Sequence, residues 1–197
     1  MYRELAADIC EIGRRMYQRE LVASNDGNIS IRVDKDKLLI TPTLTSKGFM
    51  REEDIILIDM DGNILEGSKK PSSEYLLHTT VYKTRDDVHA VVHAHPVTVS
   101  AFAITGRAVD MNYMPEAYMS LGYFPVAKYA KPGTDELAKS IEPFIKPCNG
   151  CLLANHGAVT WSRDVFSAYY LMEQLEFYCK TSLIAERIGT PNIIPVL

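Results

Sequence analysis

Residues 90–96 read AVVHAHP, an apolar run that closes on two histidines one residue apart. In an extended chain successive side chains point to opposite faces, so His93 and His95 share a face and Ala94 takes the other. The run reads as a strand, and its neighbours say what covers it. MYRELAADICEIGRRMYQREL alternates apolar and charged residues at helical spacing. In KKPSSEYLLHTTVYKTR, Pro71 and the serines suit a helix start, with Leu76, Leu77, Thr80 and Val81 on one face. TDELAKSIEPFIK opens on an N-cap candidate, Thr134, followed by acidic residues. The last long element runs from a Ser162 cap to a Gly189 stop, with Phe166, Tyr169, Tyr170, Met172, Leu175, Phe177, Tyr178, Leu183 and Ile184 as its apolar positions. Between these lie strand patterns: SNDGNISIRV, LLITPT, a hairpin turning at Asp61-Gly62, and GCLLANHGAVTW as one strand. A short helix is expected from Pro96 to Ile104. Helices before, between and after the strands imply a sheet covered on both faces, an α/β/α layering.

With 197 residues, 47% of them hydrophobic, the chain is long enough for a full core, and one domain spanning 1–197 is expected. A net charge of -4 argues against a general nucleic-acid binder. The amino-terminal segment lacks the apolar core of a signal peptide, and no run approaches the roughly 18 apolar residues of a membrane span. A soluble cytoplasmic protein, without a membrane partner, is the expectation. Cys148 and Cys151 form a CxxC, but there is no second one and the pair leads into the apolar run CLLA, which favours chance spacing over a zinc or redox site. The Tyr-, Met- and Pro-rich stretch 106–133 shows no clear period and reads mainly as core filling.

Two imidazoles on one strand face are a workable half of a zinc site, although HxH at a strand end also occurs without metal. His156 is the best third ligand: it ends its own apolar run in NHG, where Gly157 allows a sharp turn. Three histidines would leave a tetrahedral ion one open position, as in catalytic sites. His89 lies too far along the strand. His78 falls four residues after Glu74 and could share its helix face, or simply pack the helix. The PSSE segment puts Ser72 and Ser73 at a helix start, which suits an anion or an ordinary cap, and Glu74 follows as a carboxylate placed to move a proton. Gly27 and Asn28 in the DGN turn, and Thr43, Thr45, Ser46 and Lys47 in TPTLTSKG, are surface-turn residues that could join PSSE around a phosphate.

These motifs resemble the class II aldolase and adducin head-domain family. DGNISIR, ITPT with KGFM after it, PSSE, VVHAHP, NYM, YAKPGT and NHGAV occur in that order over about residues 20 to 160. The resemblance implies a three-layer α/β/α fold around a central, largely antiparallel sheet. It also implies a metal-dependent aldolase that cleaves a ketose 1-phosphate to dihydroxyacetone phosphate and an aldehyde through a metal-stabilised enediolate. Zinc, or another divalent metal, would be held by Glu74, His93, His95 and His156, with Glu74 also the acid/base. Gly27, Asn28, Thr43, Leu44, Ser72 and Ser73 would bind the phosphate of a small phosphorylated sugar. Tyr113 would reach in from a neighbouring subunit to protonate the aldehyde oxygen, in a homotetramer with sites at subunit interfaces. Sugar-phosphate epimerases and methylthioribulose-1-phosphate dehydratases share the histidines, and adducin-type modules keep the fold without catalysis; Glu74, where epimerases have aspartate, and the segment NYMPEAYMSLG favour an aldolase over an epimerase, and the retained histidines and Glu74 favour an enzyme over a module. The chain departs from the pattern at Leu44, where the family has glycine, at Asn25, where ketose-phosphate aldolases have threonine, and in the tail PNIIPVL, which lacks their tyrosine.

Overall fold

The computed structural model describes residues 2–109 and 111–195. Its strands are β1 (Asn28–Asp34), β2 (Lys37–Ile40), β3 (Ile56–Asp59), β4 (Ile64–Glu66), β5 (Ala90–Ala94), β6 (Val126–Ala127), β7 (Gly150–Leu153) and β8 (Gly157–Ser162). They form one sheet in the order β4-β3-β2-β1-β5-β8-β7-β6. Each pairing is antiparallel except β6 with β7. The helices are α1 (Arg3–Gln18), α2 (Tyr75–Thr84), α3 (Val97–Thr105), α4 (Pro115–Leu121), α5 (Asp135–Ile145) and α6 (Val165–Ile188). None of the described helices is long and apolar enough to cross a membrane.

The alternation of β5 sorts the layers. Ala90, Val92 and Ala94 join the core beneath α1, α3, α4 and α6, while Val91 joins the core beneath α2 and α5. Full burial of each such valine contributes about 1.5–3 kcal/mol. Strand β1 does the same with a polar twist: Ile29 and Ile31 enter the first core, and buried Asn28 and Ser30 face α2. Register places Asn28 across from His93. The three-layer sheet expected from the sequence is therefore present, with the histidine end of β5 at its centre.

Several local expectations need correction. Residues 150–161 form a hairpin, β7 and β8, because Asn155 takes a left-handed conformation (φ 57°) between them. Gly157 serves close approach instead of the turn: a Cβ there would collide with the Ala94 carbonyl oxygen and come within 2.8 Å of the His95 ring. Ser162 ends β8, and the α6 cap is Asp164, whose carboxylate accepts from the Ser167 N–H at 2.7 Å. Of the apolar positions assigned to α6, Tyr170, Phe177, Leu183 and Ile184 are exposed, and the small residues Ala168, Cys179 and Ser182 line its buried side. Thr134 stands at the N-cap of α5 but turns its hydroxyl to the Lys131 carbonyl. The aperiodic stretch 106–133 contains a 3-10 turn (Met111–Tyr113), α4 and β6; Asp110 lies outside the described residues, as do Val196 and Leu197 of the tail.

Candidate active site

Three segments bring four side chains together where β5 ends. His93 is the penultimate residue of the strand, and His95 lies just beyond it, with its N–H held by the Leu21 carbonyl at 3.1 Å. His156 comes from the β7–β8 turn, and Glu74 stands at the N-cap position of α2. The potential ligand atoms of the three histidines all lie within 4.8 Å of one another. Glu74 Oε2 is 3.2 Å from His93 Nε2, and Oε1 is 3.6 Å from His156 Nε2. The sequence-derived trio and its carboxylate are thus brought together, whereas His89 stays on the surface.

Hydrogen bonds set which nitrogens face inward. His93 Nδ1 lies 2.9 Å from the Ala158 carbonyl, an acceptor, so Nδ1 carries the proton and Nε2 is bare. His95 Nδ1 lies 3.4 Å from the Asp26 carboxylate, which favours the same tautomer. The two Nε2 atoms then face each other at 2.9 Å with a lone pair each, an arrangement that a shared cation stabilises. Burial lowers the pKa of His93, His95 and His156, the last to about 4, so all three are neutral at neutral pH and fit to ligate. Burial also raises the Glu74 carboxyl, whose Oε1 has no hydrogen-bond partner; His156 Nδ1 has none either. Three imidazoles and a buried oxygen without a donor are the donor set of a divalent transition metal, with geometry and supply choosing among zinc, manganese, cobalt and iron.

Beside the cluster lie the loops expected to bind an anion. Gly27 adopts φ 75°, and a Cβ there would come within 2.9 Å of the His93 carbonyl oxygen, so glycine lets this turn lie against β5. The 41–46 and 70–72 segments are laced by Thr43 N–H to Lys70 O (3.0 Å) and Ser72 N–H to Thr41 O (3.1 Å). Ser72 is buried and its hydroxyl accepts from the Glu74 N–H at 3.3 Å, as a cap would, whereas Ser73 is exposed. Leu44 is held at φ 53° with its side chain 82% exposed, so the loop keeps the left-handed shape that glycine would adopt freely. Lys47 is buried, and its ammonium donates to the Asn25 and Thr45 carbonyls at 2.9 and 2.5 Å, pinning the 25–28 turn to the 43–47 loop. Tyr113 lies on its 3-10 turn, half-buried against the first core, with its N–H donating to the Tyr178 hydroxyl.

Sequence reasoning missed the support beneath the site. Asn28 Nδ2 donates to Glu74 Oε2 at 2.8 Å, and His78, left between sharing the Glu74 face and packing the helix, lies 2.5 Å from Asn28 Oδ1 and 2.6 Å from Ser30 Oγ. The available signal was the polar alternation of Asn28 and Ser30, facing a helix with His78 and Tyr82 one turn apart.

The molecule is thus a mixed sheet with a trihistidine–carboxylate cluster at the end of its central strand β5. The sequence model of the family described as Class II Aldolase and Adducin N-terminal domain matches residues 7–183, and the chain belongs to that family. An L-fuculose phosphate aldolase of Methanococcus maripaludis is 35% identical over 181 residues, covering 92% of this chain and 97% of that protein. A 3-oxo-tetronate 4-phosphate decarboxylase of Haemophilus influenzae is 32% identical over 170 residues, covering 84% of this chain and 80% of that one. Among solved structures, an L-fuculose 1-phosphate aldolase superposes with a TM-score of 0.87 at 29% identity, covering 98% of this chain and 91% of that chain.

Proposed function

We propose that the protein is a divalent-metal-dependent lyase that cleaves a ketose 1-phosphate of the L-fuculose 1-phosphate type into dihydroxyacetone phosphate and an aldehyde such as L-lactaldehyde. The observation that supports this most is the meeting of three neutral imidazoles and the buried Glu74 carboxylate beside the 25–28, 41–46 and 71–74 loops. His93, His95, His156 and Glu74 would hold the ion, zinc in the first instance. A bound ion supplies Lewis-acid polarisation of the ketone and stabilises the negative charge that cleavage leaves beside it.

The chain's own groups do the rest. Gly27, Asn28, Thr43, Leu44, Ser72 and Ser73 hold the phosphate and fix the ketone end of the sugar. Tyr113, contributed by a neighbouring copy, gives its proton to the aldehyde oxygen in the condensing direction, and cleavage returns that proton from the substrate hydroxyl to the tyrosine oxygen. Glu74 delivers a proton to the carbon that keeps the electron pair, a role suited to a carboxyl whose pKa burial raises. The assembly is a homotetramer with sites at subunit interfaces, a reading supported by exposed apolar side chains at Val97, Met119, Tyr123 and Phe177.

A second reading is favoured by the decarboxylase among the relatives. Loss of carbon dioxide from a 3-oxo acid leaves its electron pair on the same carbon, next to the same kind of ketone, and needs no group to accept a hydroxyl proton. Purified protein incubated with L-fuculose 1-phosphate and, separately, with 3-oxo-tetronate 4-phosphate distinguishes the two. The expected result is dihydroxyacetone phosphate from the ketose phosphate, abolished by a chelator and restored by a divalent ion. Turnover of the oxo acid alone, unaffected by Tyr113→Phe, would replace the aldolase reading with the second one.

A further inference from the structure

The interface between β1 and α2 buries three polar side chains, Ser30, His78 and Tyr82, that the chemistry above does not use. Tyr82 Oη lies 2.7 Å from Ser30 Oγ, Ser30 Oγ lies 2.6 Å from His78 Nδ1, and His78 Nε2 lies 2.5 Å from Asn28 Oδ1. Asn28 in turn donates to Glu74 Oε2 at 2.8 Å. Ser30, His78 and Tyr82 are fully buried, so water cannot complete their hydrogen bonds.

Counting protons fixes the direction of the chain. An ionised carboxylate only accepts, so Asn28 must turn its NH2 toward Glu74 and its carbonyl oxygen toward His78. That oxygen needs a donor, so His78 carries its proton on Nε2. Burial pushes the His78 pKa down to about 3, which leaves the ring one proton only. Nδ1 is then an acceptor and takes the Ser30 hydroxyl proton; with that proton committed, the hydrogen between Ser30 Oγ and Tyr82 is the Tyr82 hydroxyl's, which also lies 3.1 Å from the Ser30 carbonyl oxygen. Each donor in the chain points toward Glu74. Reversed polarity would set Asn28 Oδ1 against a carboxylate oxygen at hydrogen-bond distance, two acceptors face to face.

We infer that His78 is a positioning residue that sets which way the Asn28 amide faces, so that Asn28 holds the Glu74 carboxylate in the orientation from which it moves its proton. The inference rests on the proposed acid/base role of Glu74 and assigns that role its support: the chain Tyr82, Ser30, His78, Asn28 is built to keep one oxygen of Glu74 paired while the other stays open to the histidines. It also gives Asn28 two duties, because the same amide that steadies Glu74 borders the anion loops.

The test has two arms. In zinc-loaded wild-type protein with 15N-labelled histidine, long-range proton–nitrogen correlations should show His78 with a protonated Nε2 and a bare Nδ1. A protonated Nδ1 with bare Nε2 overturns the inference whatever the activity. In the kinetic arm, His78→Leu should lower kcat about tenfold to a hundredfold while KM and zinc content stay within about twofold. His78→Gln, whose amide can still donate to Asn28, should recover most of the loss. Wild-type turnover by His78→Leu, or a loss confined to KM and zinc content, also overturns the inference. Should His78→Leu fail to fold, His78→Met tests the same chain: a side chain of similar length that cannot donate to Asn28 should lower kcat to the same degree, and wild-type turnover by it overturns the inference. A wild type inactive on sugar phosphates but carrying the Nε2–H tautomer would refute the proposed function and leave the polarity of the chain supported.

Discussion

Strands β5 and β7 lie two places apart in one sheet, and each is associated with a short-spaced pair of metal-binding residue types: His93 and His95 on one, Cys148 and Cys151 on the other. The histidines sit where β5 runs out beside three loops and a helix start. The cysteines are buried in the core beneath α2 and α5, where burial raises both thiols above their ordinary pKa. Cys148 contributes its carbonyl, which accepts the Trp161 indole N–H at 2.9 Å, rather than its sulfur. Spacing alone does not make a site. What separates the pairs is whether other donors converge on them.

His93→Ala breaks the comparison most severely: it should abolish tight divalent-metal binding and lower turnover on the order of a thousandfold. Replacing both cysteines by alanine should leave metal stoichiometry at the wild-type value. Metal analysis of the two purified variants checks this, and loss of metal from the cysteine variant would make the pairs equivalent after all. Glu74→Gln should keep the metal on the three histidines while lowering turnover about a hundredfold.

The two pairs should also fail at opposite ends of the pH scale in metal-free protein. Burial lowers the folded-state pKa of the histidines, so below about 6.5 the unfolded chain binds more protons and stability falls with pH. Glu74, raised by burial, works in the opposite sense in acid, but it is one group against three imidazoles and His78. For the cysteines the folded pKa is raised, so above about 8.5 the unfolded chain loses protons first and stability falls as pH rises. Melting temperatures of the wild type and the double cysteine variant across the range separate the two limbs: the variant should lose part of its sensitivity, and only on the alkaline side, where buried Cys10 and Cys179 still contribute in the same direction.

Smaller effects belong to the supports. Asp26→Asn removes the carboxylate beside His95 and should weaken metal affinity about tenfold, read by competition with a chelator. Leu44→Gly should stabilise the fold by about 0.5–1 kcal/mol, the left-handed penalty relieved less the entropy glycine adds to the unfolded chain. Urea unfolding measures it, and a destabilised variant would mean that the exposed leucine packs on something beyond this chain.

Much of this was legible in the sequence because it rests on local period. The layering followed from helical and strand patterns, and the histidine trio from HxH and NHG. The failures share a physical cause, a partner distant in sequence. His78 stayed undecided between the Glu74 face and packing because its partners Ser30 and Asn28 lie 48 and 50 residues away. The face of α6 was misjudged because Tyr170 and Phe177 have the hydrophobicity of core residues but no neighbouring layer within this chain. The hairpin at residue 155 was read as one strand because Asn155 breaks the run by conformation, which its apolar neighbours do not announce.

The strand order has a kinetic consequence. Adjacent strands β1 and β5, and then β5 and β8, must close long loops before His93 can meet both Asn28 and the His156 turn. Loop closure is the slow part of assembling such non-local sheets. Among the described residues no single hairpin contains the full donor set, so under the proposed function metal capture would serve as a clock for the closing of the central strands during refolding.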